Sequence, residues 1–168
     1  MNATARITLA AVLCLGLAAC AKKQTVQPPP PESAPPPVPE ATTAGAYTPA
    51  DLDTDACLRQ RVVYFDFDKS DIRSEFQQII ACHAKYLRDR PMARMTLEGN
   101  TDERGTREYN LGLGERRGNA VASALEADGA QASQINVVSY GEERPTCREH
   151  NEDCWSKNRR VEIVYTAK

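Results

Sequence analysis

The order of apolar and polar positions along the chain predicts two amphipathic helices. The first extends from Phe76 to Leu87, where apolar residues recur at the three- and four-residue spacing of a helix. The second runs from about Arg107 to Asp128, and Gly129 follows it, where a glycine commonly ends a helix. The sides expected to be buried are Phe76, Ile79, Ile80, His83, Ala84 and Leu87 in the first helix, and Leu113, Ala120, Val121, Ala124 and Leu125 in the second.

Four further segments have the composition or the alternation of β-strands. They are Arg61–Phe67, Met95–Glu98, Ile135–Tyr140 and Val161–Thr166. The polar residues between Glu142 and Asn158 predict a loop before the last strand. The element order β-α-β-α-β-β predicts an α/β (α+β) sandwich, with two helices on one face of a small mixed sheet and an antiparallel last link.

The beginning of the chain has a different character. A lone positive residue, Arg6, precedes an apolar run from Ile7 to Ala19, which is the pattern of a secretory signal peptide. As a helix this run would be roughly 21 Å long, too short for a hydrocarbon core of about 30 Å. We therefore expect residues 1–19 to be a cleaved signal.

The signal ends in Leu17-Ala18-Ala19-Cys20, which resembles a bacterial lipobox. The resemblance implies that Cys20 becomes the lipidated first residue, with more than one acyl chain and hence stable anchoring. By the same resemblance, Ala21 in place of an aspartate favours export to the outer membrane. The alternative is an ordinary signal peptide in which Cys20 lies at the cleavage site by chance.

Residues 20–50 form a proline-rich segment, since nine of the eleven prolines of the chain lie there. This composition favours an extended polyproline II chain, and at about 3.1 Å per residue thirty residues reach up to about 90 Å. We expect a flexible spacer here, followed by one folded domain over residues 51–168. A proline-rich ligand for a recognition domain is the other interpretation.

Charge and cysteine content bear on the possible partners of the protein and on its disulfide bonds. A net charge of −2 without long basic blocks argues against a nucleic-acid partner. After removal of Cys14 and lipidation of Cys20, four cysteines remain in an oxidising compartment: Cys57, Cys82, Cys147 and Cys154. Of the three possible pairings, sequence proximity and loop position favour Cys147–Cys154, which leaves Cys57–Cys82.

Several motifs in the domain occur together in the order and spacing of a known family. They are Tyr64-Phe65-Asp66-Phe67-Asp68, Gly99-Asn100-Thr101-Asp102-Glu103-Arg104-Gly105-Thr106, Glu108-Tyr109-Asn110, Leu113-Gly114-Glu115-Arg116-Arg117, Ser139-Tyr140-Gly141-Glu142-Glu143 and Lys157-Asn158-Arg159-Arg160-Val161. Over residues 60–166 they resemble the OmpA-like peptidoglycan-binding domain, in its peptidoglycan-associated lipoprotein branch. The resemblance implies a non-enzymatic protein that binds diaminopimelate in the peptide stem of peptidoglycan and tethers the outer membrane to the cell wall.

Two residues suit the zwitterionic side-chain end of diaminopimelate. By resemblance, Asp102 accepts the ammonium, and the Arg117 guanidinium holds the carboxylate with two parallel hydrogen bonds that lysine cannot reproduce. Arg116 points about 100° away on a helix, so only one of these two arginines is expected to face the ligand. The alternatives are a salt bridge between Asp102 and Arg117, or a solvated Arg117 without a role.

Further ligand contacts are expected from residues around this pair: Phe67, Asp68, Arg104, Thr106, Tyr109 and Leu113. For Phe67 and Leu113, packing in the core is the alternative. Asn100 stands where many relatives carry a histidine, and we assign it no role in recognising charge.

Two other kinds of site are weighed against the binding function. Cys147, His150 and Cys154 would supply zinc ligands, but they lack the paired short cysteine motif of structural sites, and we predict no metal and no cofactor. A glycan hydrolase would use paired carboxylates among Asp66, Asp68, Asp102 and Glu103. Aspartates beside turns are commonly turn formers, however, and no residue sits in a nucleophile motif.

The resemblance also implies partners and a location. The expected partners are peptidoglycan, the outer-membrane lipid bilayer through the anchor, and the Tol-system propeller protein TolB, which would share the wall-binding surface. The protein is expected in the outer membrane, facing the periplasm, with a part in envelope integrity and cell division. Membership of this system or a paralogous role is left open by the sequence.

Overall fold

The computed structural model describes residues 45–168, which form an α/β sandwich on a four-stranded sheet. The signal peptide, Cys20 and the proline-rich segment up to residue 44 lie outside the described residues, so those predictions stay predictions. Within the described part, no helix is both long and apolar enough to cross a membrane.

The sheet consists of β1 (Val62–Tyr64), β2 (Arg94–Asn100), β3 (Ile135–Gly141) and β4 (Arg160–Ala167), in the spatial order β1-β4-β2-β3. β2 and β3 are parallel, as strands joined by a crossover helix must be, whereas β4 is antiparallel to both of its neighbours. The predicted fold class is confirmed. The predicted antiparallel direction of the last strand is also confirmed, but β4 inserts between β1 and β2 and does not pair with β3.

The helices are α1 (Asp51–Thr54), α2 (Gln77–Asp89), α3 (Arg107–Ala127) and α4 (Glu152–Asn158). The two predicted amphipathic helices correspond to α2 and α3. The prediction of a loop up to Asn158 is wrong at its end, because α4 occupies the last seven residues. Seven residues are too few to show a helical period, and the helix begins where the Asn151 side chain accepts the Cys154 N–H at 3.0 Å.

The hydrophobic core lies between the sheet and helices α2 and α3. The whole predicted stripe of α2, from Phe76 to Leu87, is buried. The strands contribute the buried side chains Val63, Met95, Leu97, Val161 and Ile163. Since burying each such side chain contributes about 1.5–3 kcal/mol, this layer is the main source of stability.

Close contact between backbones fixes the position of α3 on the sheet. A Cβ atom on Gly99 would lie 2.0 Å from the Gly114 carbonyl oxygen, and one on Gly114 would lie 2.3 Å from Ser139 Oγ. One turn further along α3, a Cβ on Gly118 would lie 2.5 Å from Val137 Cγ1. Only glycine fits at these contacts, which bring the first half of α3 against the end of β2.

His83 has the packing role that its place in the apolar stripe predicts. Its Nε2 lies 3.0 Å from the Gln60 carbonyl oxygen and its Nδ1 lies 2.8 Å from the Tyr165 hydroxyl. Because a carbonyl can only accept, Nε2 carries the proton and Nδ1 accepts from Tyr165. Burial lowers the pKa of His83 to about 4, so the imidazole is neutral at pH 7.

Both predicted disulfides are confirmed. Cys57–Cys82 joins the segment after α1 to α2, and Cys147–Cys154 closes the loop that leads into α4. In the chain-entropy model these loops contribute about 3.5 and 2.5 kcal/mol. A disulfide sulfur is not a thiolate, so Cys147 and Cys154 cannot serve as zinc ligands.

The close contact between α3 and β2 can be tested with two glycine substitutions in α3, one at the contact and one away from it. Gly114→Ala should destabilise the domain by about 2 kcal/mol, because the added methyl overpacks the interface with backbone on one side. Gly112→Ala, in the same helix, should stabilise by about 0.5–1 kcal/mol, since its Cβ meets only the flexible end of Arg116 at 3.3 Å. Urea unfolding of both variants checks this, and equal effects would contradict the proposed contact.

His83 should make the domain less stable in mild acid. The unfolded state takes up a proton near pH 6.5, whereas the folded state does so only near its pKa of about 4. The stability is complete above pH 6.5 and falls between these values, by about 2 kcal/mol from pH 7 to pH 5. Urea midpoints at both pH values measure it: His83→Gln should remove the difference, and His150→Gln, at the exposed second histidine, should leave it.

Candidate ligand-binding site

A cavity of about 190 Å³ opens where β2 ends and α3 begins, and we call it the site cavity. Its walls come from the segment after β1, the loop after β2, the first half of α3 and the junction between α4 and β4. The lining residues are Phe67, Asp68, Thr101, Asp102, Arg104, Gly105, Tyr109, Asn110, Leu113, Arg117 and Arg159.

Arg117 forms the buried base of the site cavity, with 0 % of its surface exposed. Its Nε donates to the Lys69 carbonyl at 2.8 Å. Its Nη1 and Nη2 donate to the carbonyls of Asn100 and Asp66, both at 3.0 Å. A guanidinium has five N–H groups, so one on each terminal nitrogen remains for another acceptor.

The Arg117 guanidinium is a cation in spite of its burial. Burial lowers the pKa of Arg117 to about 10, nearby Asp102 opposes this lowering, and a group with that pKa is protonated at pH 7. Within residues 45–168 no carboxylate forms an ion pair with Arg117, so the alternative of an Asp102–Arg117 salt bridge is not what the structure has. The neighbouring Arg116 is exposed and lies over the Tyr109 ring, so Arg117 alone of the two faces the cavity.

Asp102 is also buried, at 3 % exposure, and two other arginines hold it. Arg104 Nη2 donates to its Oδ2 at 2.6 Å, and Arg159 Nη1 donates to the same atom at 3.2 Å. Burial by itself raises the pKa of Asp102, but these hydrogen bonds outweigh burial and hold the pKa below its ordinary value. Asp102 is therefore ionised at neutral pH.

Helix α4 positions both arginines that hold Asp102. The Arg104 guanidinium lies between two aromatic rings, with its Cζ 3.9 Å from the Phe67 ring centroid and 4.2 Å from that of Trp155. Glu152, at the start of α4, accepts a hydrogen bond from Arg159 Nη2 at 2.5 Å. Helix α4, which the sequence does not predict, therefore organises the cationic side of the site.

The opening of the site cavity is flanked by exposed rings and a constrained aspartate. Phe67 is 54 % exposed and Tyr109 is 45 % exposed. Between them, Asp68 has a φ of 56°, the one positive φ of a non-glycine residue in the described part of the chain. Such backbone costs about 1–3 kcal/mol and is concentrated at functional sites. The Tyr109 hydroxyl donates to the Asp68 carboxylate and fixes it at the rim.

All the predicted contact residues except Thr106 line the site cavity. Thr106 instead begins α3, where its Oγ1 accepts the Tyr109 N–H at 3.2 Å. Phe67 is too exposed to be a core residue, whereas Leu113 is buried and still reaches the wall. The structure brings these side chains together, and their roles towards a ligand stay predictions.

Four lining residues had no assigned role in the sequence: Thr101, Gly105, Asn110 and Arg159. Each lies within a motif that carries the family resemblance, which is the signal that marks them. In Arg159-Arg160 the sequence does not indicate which arginine faces the cavity. The Thr101 hydroxyl is buried without a hydrogen-bond partner, so it also adds a polar group to the wall.

The carboxylates of the hydrolase alternative are not arranged for acid catalysis. Asp102 is held by two arginines, and Glu103 accepts from Trp155 Nε1 at 2.7 Å and lies 2.6 Å from His150 Nδ1. Hydrogen bonds from His150 and Trp155 lower the pKa of Glu103, and that of Asp102 is lowered as well. A general acid needs a raised pKa, so this pair is unsuited to that role.

Comparisons with known proteins cover the region that contains the site. Residues 64–159, which include every residue lining the site cavity, match the model of the OmpA family. The peptidoglycan-associated lipoprotein of Haemophilus influenzae is 49% identical over 125 residues, which cover 74% of this chain and 79% of that protein. The peptidoglycan-associated lipoprotein of Brucella melitensis is 36% identical over 158 residues, covering 94% and 90%.

A solved structure agrees with the fold. The crystal structure of the peptidoglycan-associated lipoprotein from Burkholderia pseudomallei has a TM-score of 0.67 and 43% sequence identity, and the match covers 68% of this chain and 98% of that one. Proteins of this kind are structural and non-enzymatic, so the hydrolase alternative is wrong. The chain belongs to the OmpA family, in its branch of peptidoglycan-associated lipoproteins.

Proposed function

We propose that the domain binds peptidoglycan non-covalently by holding the zwitterionic end of diaminopimelate in the site cavity. The observation that carries this proposal is one cavity with a buried cation, Arg117, that has spare N–H groups, and a buried carboxylate, Asp102. Arg117 would bind the ligand carboxylate and Asp102 the ligand ammonium. The names of the relatives, peptidoglycan-associated lipoproteins, support the cell wall as the source of the ligand.

The charge balance of the site cavity also favours this ligand. Its lining has three cations, Arg104, Arg117 and Arg159, and two carboxylates, Asp68 and Asp102. The excess of one positive charge attracts a ligand carboxylate. A lysine side chain in the stem would bring only an ammonium and would leave Arg117 without an anion.

Binding of the ligand ammonium requires an exchange at Asp102. Arg104 and Arg159 both donate to it, but the Arg159 side chain is 7% exposed and the Arg104 side chain is 30% exposed. Arg104 is therefore the partner that moves aside. Glu152 lies 3.6 Å from Arg104 Nη2 and offers it an alternative carboxylate.

The proposal includes a tether, in which Cys20 anchors the chain in the outer membrane and residues 21–50 supply reach. The match with the Brucella melitensis lipoprotein covers 94% of the chain and so extends through Cys20. The described chain enters the domain at Tyr47, whose N–H donates at 2.9 Å to Asp89, the last residue of α2. β2 follows that end of α2 and leads about 20 Å away to the site, so spacer and wall attach at opposite ends.

We extend the proposal to the Tol system, with TolB as a partner that shares the wall-binding surface. The support is the family resemblance, together with the exposed Phe67 and Tyr109 rings at the rim. Because peptidoglycan and TolB would use the same surface, only one of them could be bound at a time. Cross-linking in cells from the Tyr109 position should give separate peptidoglycan and TolB adducts, and a ternary adduct would contradict this part.

The binding proposal is tested with Asp102→Asn. This change keeps the side-chain shape but removes the charge, and should weaken binding of a diaminopimelate muropeptide about 10- to 100-fold. Emission of Trp155 is a suitable readout, because it is the one tryptophan of the chain and contacts Arg104. The matched control is Glu126→Gln, an exposed carboxylate at the far end of α3, which should bind as wild type. A folded Asp102→Asn protein with unchanged affinity would overturn the assignment.

Arg117→Lys should impair both stability and binding. A lysine ammonium cannot reach the Lys69, Asn100 and Asp66 carbonyls in the planar arrangement of a guanidinium, so unfolding should cost about 2 kcal/mol less than in wild type. Binding of the muropeptide should fall even when measured on fully folded protein. Urea unfolding and titration of the same sample separate the two effects, and a variant equal to wild type in both would contradict them.

A further inference from the structure

A second depression, of about 230 Å³, lies directly beside the site cavity, and we call it the side depression. Arg159 lines both of them. The segment Phe65–Asp68 separates them, since Phe65 and Asp66 line the side depression while Phe67 and Asp68 line the site cavity. A ligand held in the site cavity therefore has the side depression as a neighbour.

The side depression is cationic beyond Arg159. Lys157 lines it, is exposed, and forms no ion pair with any residue in the described range 45–168. Arg73 also lines it, and its terminal nitrogens lie 3.1 Å from Glu75 and 3.7 Å from Asp66. The Arg73 Nε atom is buried and has no hydrogen-bond partner. Asp66, 64% exposed, is the carboxylate on this lining, so positive charge predominates.

The other side of the site cavity has the opposite character. A depression of about 310 Å³ there shares Thr101 with the site cavity. Its lining contains the carboxylates Glu103, Glu142 and Glu149, together with Arg148 and His150. An anionic group next to the bound zwitterion is therefore repelled on the Thr101 side and attracted on the Arg159 side, which gives the ligand one favourable direction.

We propose that the side depression is a second subsite, which binds a carboxylate of a stem residue next to diaminopimelate through Lys157 and Arg73. The inference rests on the proposed function. In the stem, the D-glutamyl residue before diaminopimelate keeps a free carboxylate, and the D-alanine after it ends a tetrapeptide with another. In both cases a free carboxylate lies within one or two residues of the diaminopimelate zwitterion held in the site cavity. The Lys157 ammonium, a flexible point charge without an ion-pair partner among residues 45–168, suits such a group.

The test uses the full chain with both disulfides, and four probes. These are free diaminopimelic acid, a diaminopimelate tetrapeptide, and the same tetrapeptide amidated either at D-glutamate or at the C-terminal D-alanine. Lys157→Ala should bind the unmodified tetrapeptide about 2- to 5-fold more weakly than wild type, the effect of losing one exposed ion pair. Lys157→Glu should weaken it further, and neither change should affect free diaminopimelic acid. Lys168→Ala, at the opposite end of the sheet, is the matched control.

The amidated probes identify the carboxylate. Wild type and Lys157→Ala should bind equally to the probe whose missing carboxylate occupies the subsite, and should still differ on the other. The subsite is disproved if Lys157→Ala binds all tetrapeptides as tightly as wild type does. It is also disproved if the substitution weakens binding of free diaminopimelic acid as much as binding of the tetrapeptide. In either case the proposed binding of diaminopimelate by Asp102 and Arg117 is unaffected. If wild-type protein binds none of the four probes, the proposed function fails and the subsite with it.

Discussion

The buried Arg117 guanidinium is the constraint on which the site depends. It joins three carbonyls, two in the segment after β1 and one at the end of β2. Hydrogen bonds from a charged donor contribute about 1.5–3 kcal/mol each, so the three together hold the segment after β1 against the end of β2. The same side chain lines the site cavity and retains one unused N–H on each terminal nitrogen. One residue, Arg117, therefore both stabilises these segments and provides the capacity to hold an anion.

Arg117 reaches this position because α3 lies against the backbone of the sheet. The glycine contacts at Gly99, Gly114 and Gly118 allow an approach that any side chain would prevent. Gly118 is the residue next to Arg117 and packs on Val137 of β3, so the arginine follows the helix face that touches the sheet. With a helix standing further out, the guanidinium could not reach the carbonyls of both segments at once. The burial of the Arg117 cation therefore depends on the close packing of α3 against the sheet.

The remaining charges are balanced by groups that come from the end of the chain. Asp102 is held by Arg104 from its own loop and by Arg159 from the junction of α4 and β4. Helix α4 supplies Glu152 and Trp155 to these arginines, and the Cys147–Cys154 disulfide closes the loop that leads into it. In this state a guanidinium occupies the place proposed for the ligand ammonium. Positive groups continue past Arg159 into the side depression, so the cationic character extends beyond the cavity itself.

Patterns in the sequence predict the fold class, the two main helices and the favoured cysteine pairing, and the family resemblance predicts seven of the eleven residues of the cavity wall. These predictions rest on local periodicity, on residue spacing and on short sequence motifs, all of which can be recognised in the sequence itself. Tertiary structure decided the insertion of β4 between β1 and β2, the formation of α4 and the choice of Arg159 over Arg160. It also decided that Asp102 pairs with Arg104 and Arg159 while Arg117 binds carbonyls. Such pairings depend on distances between residues far apart in sequence, and local patterns do not contain those distances.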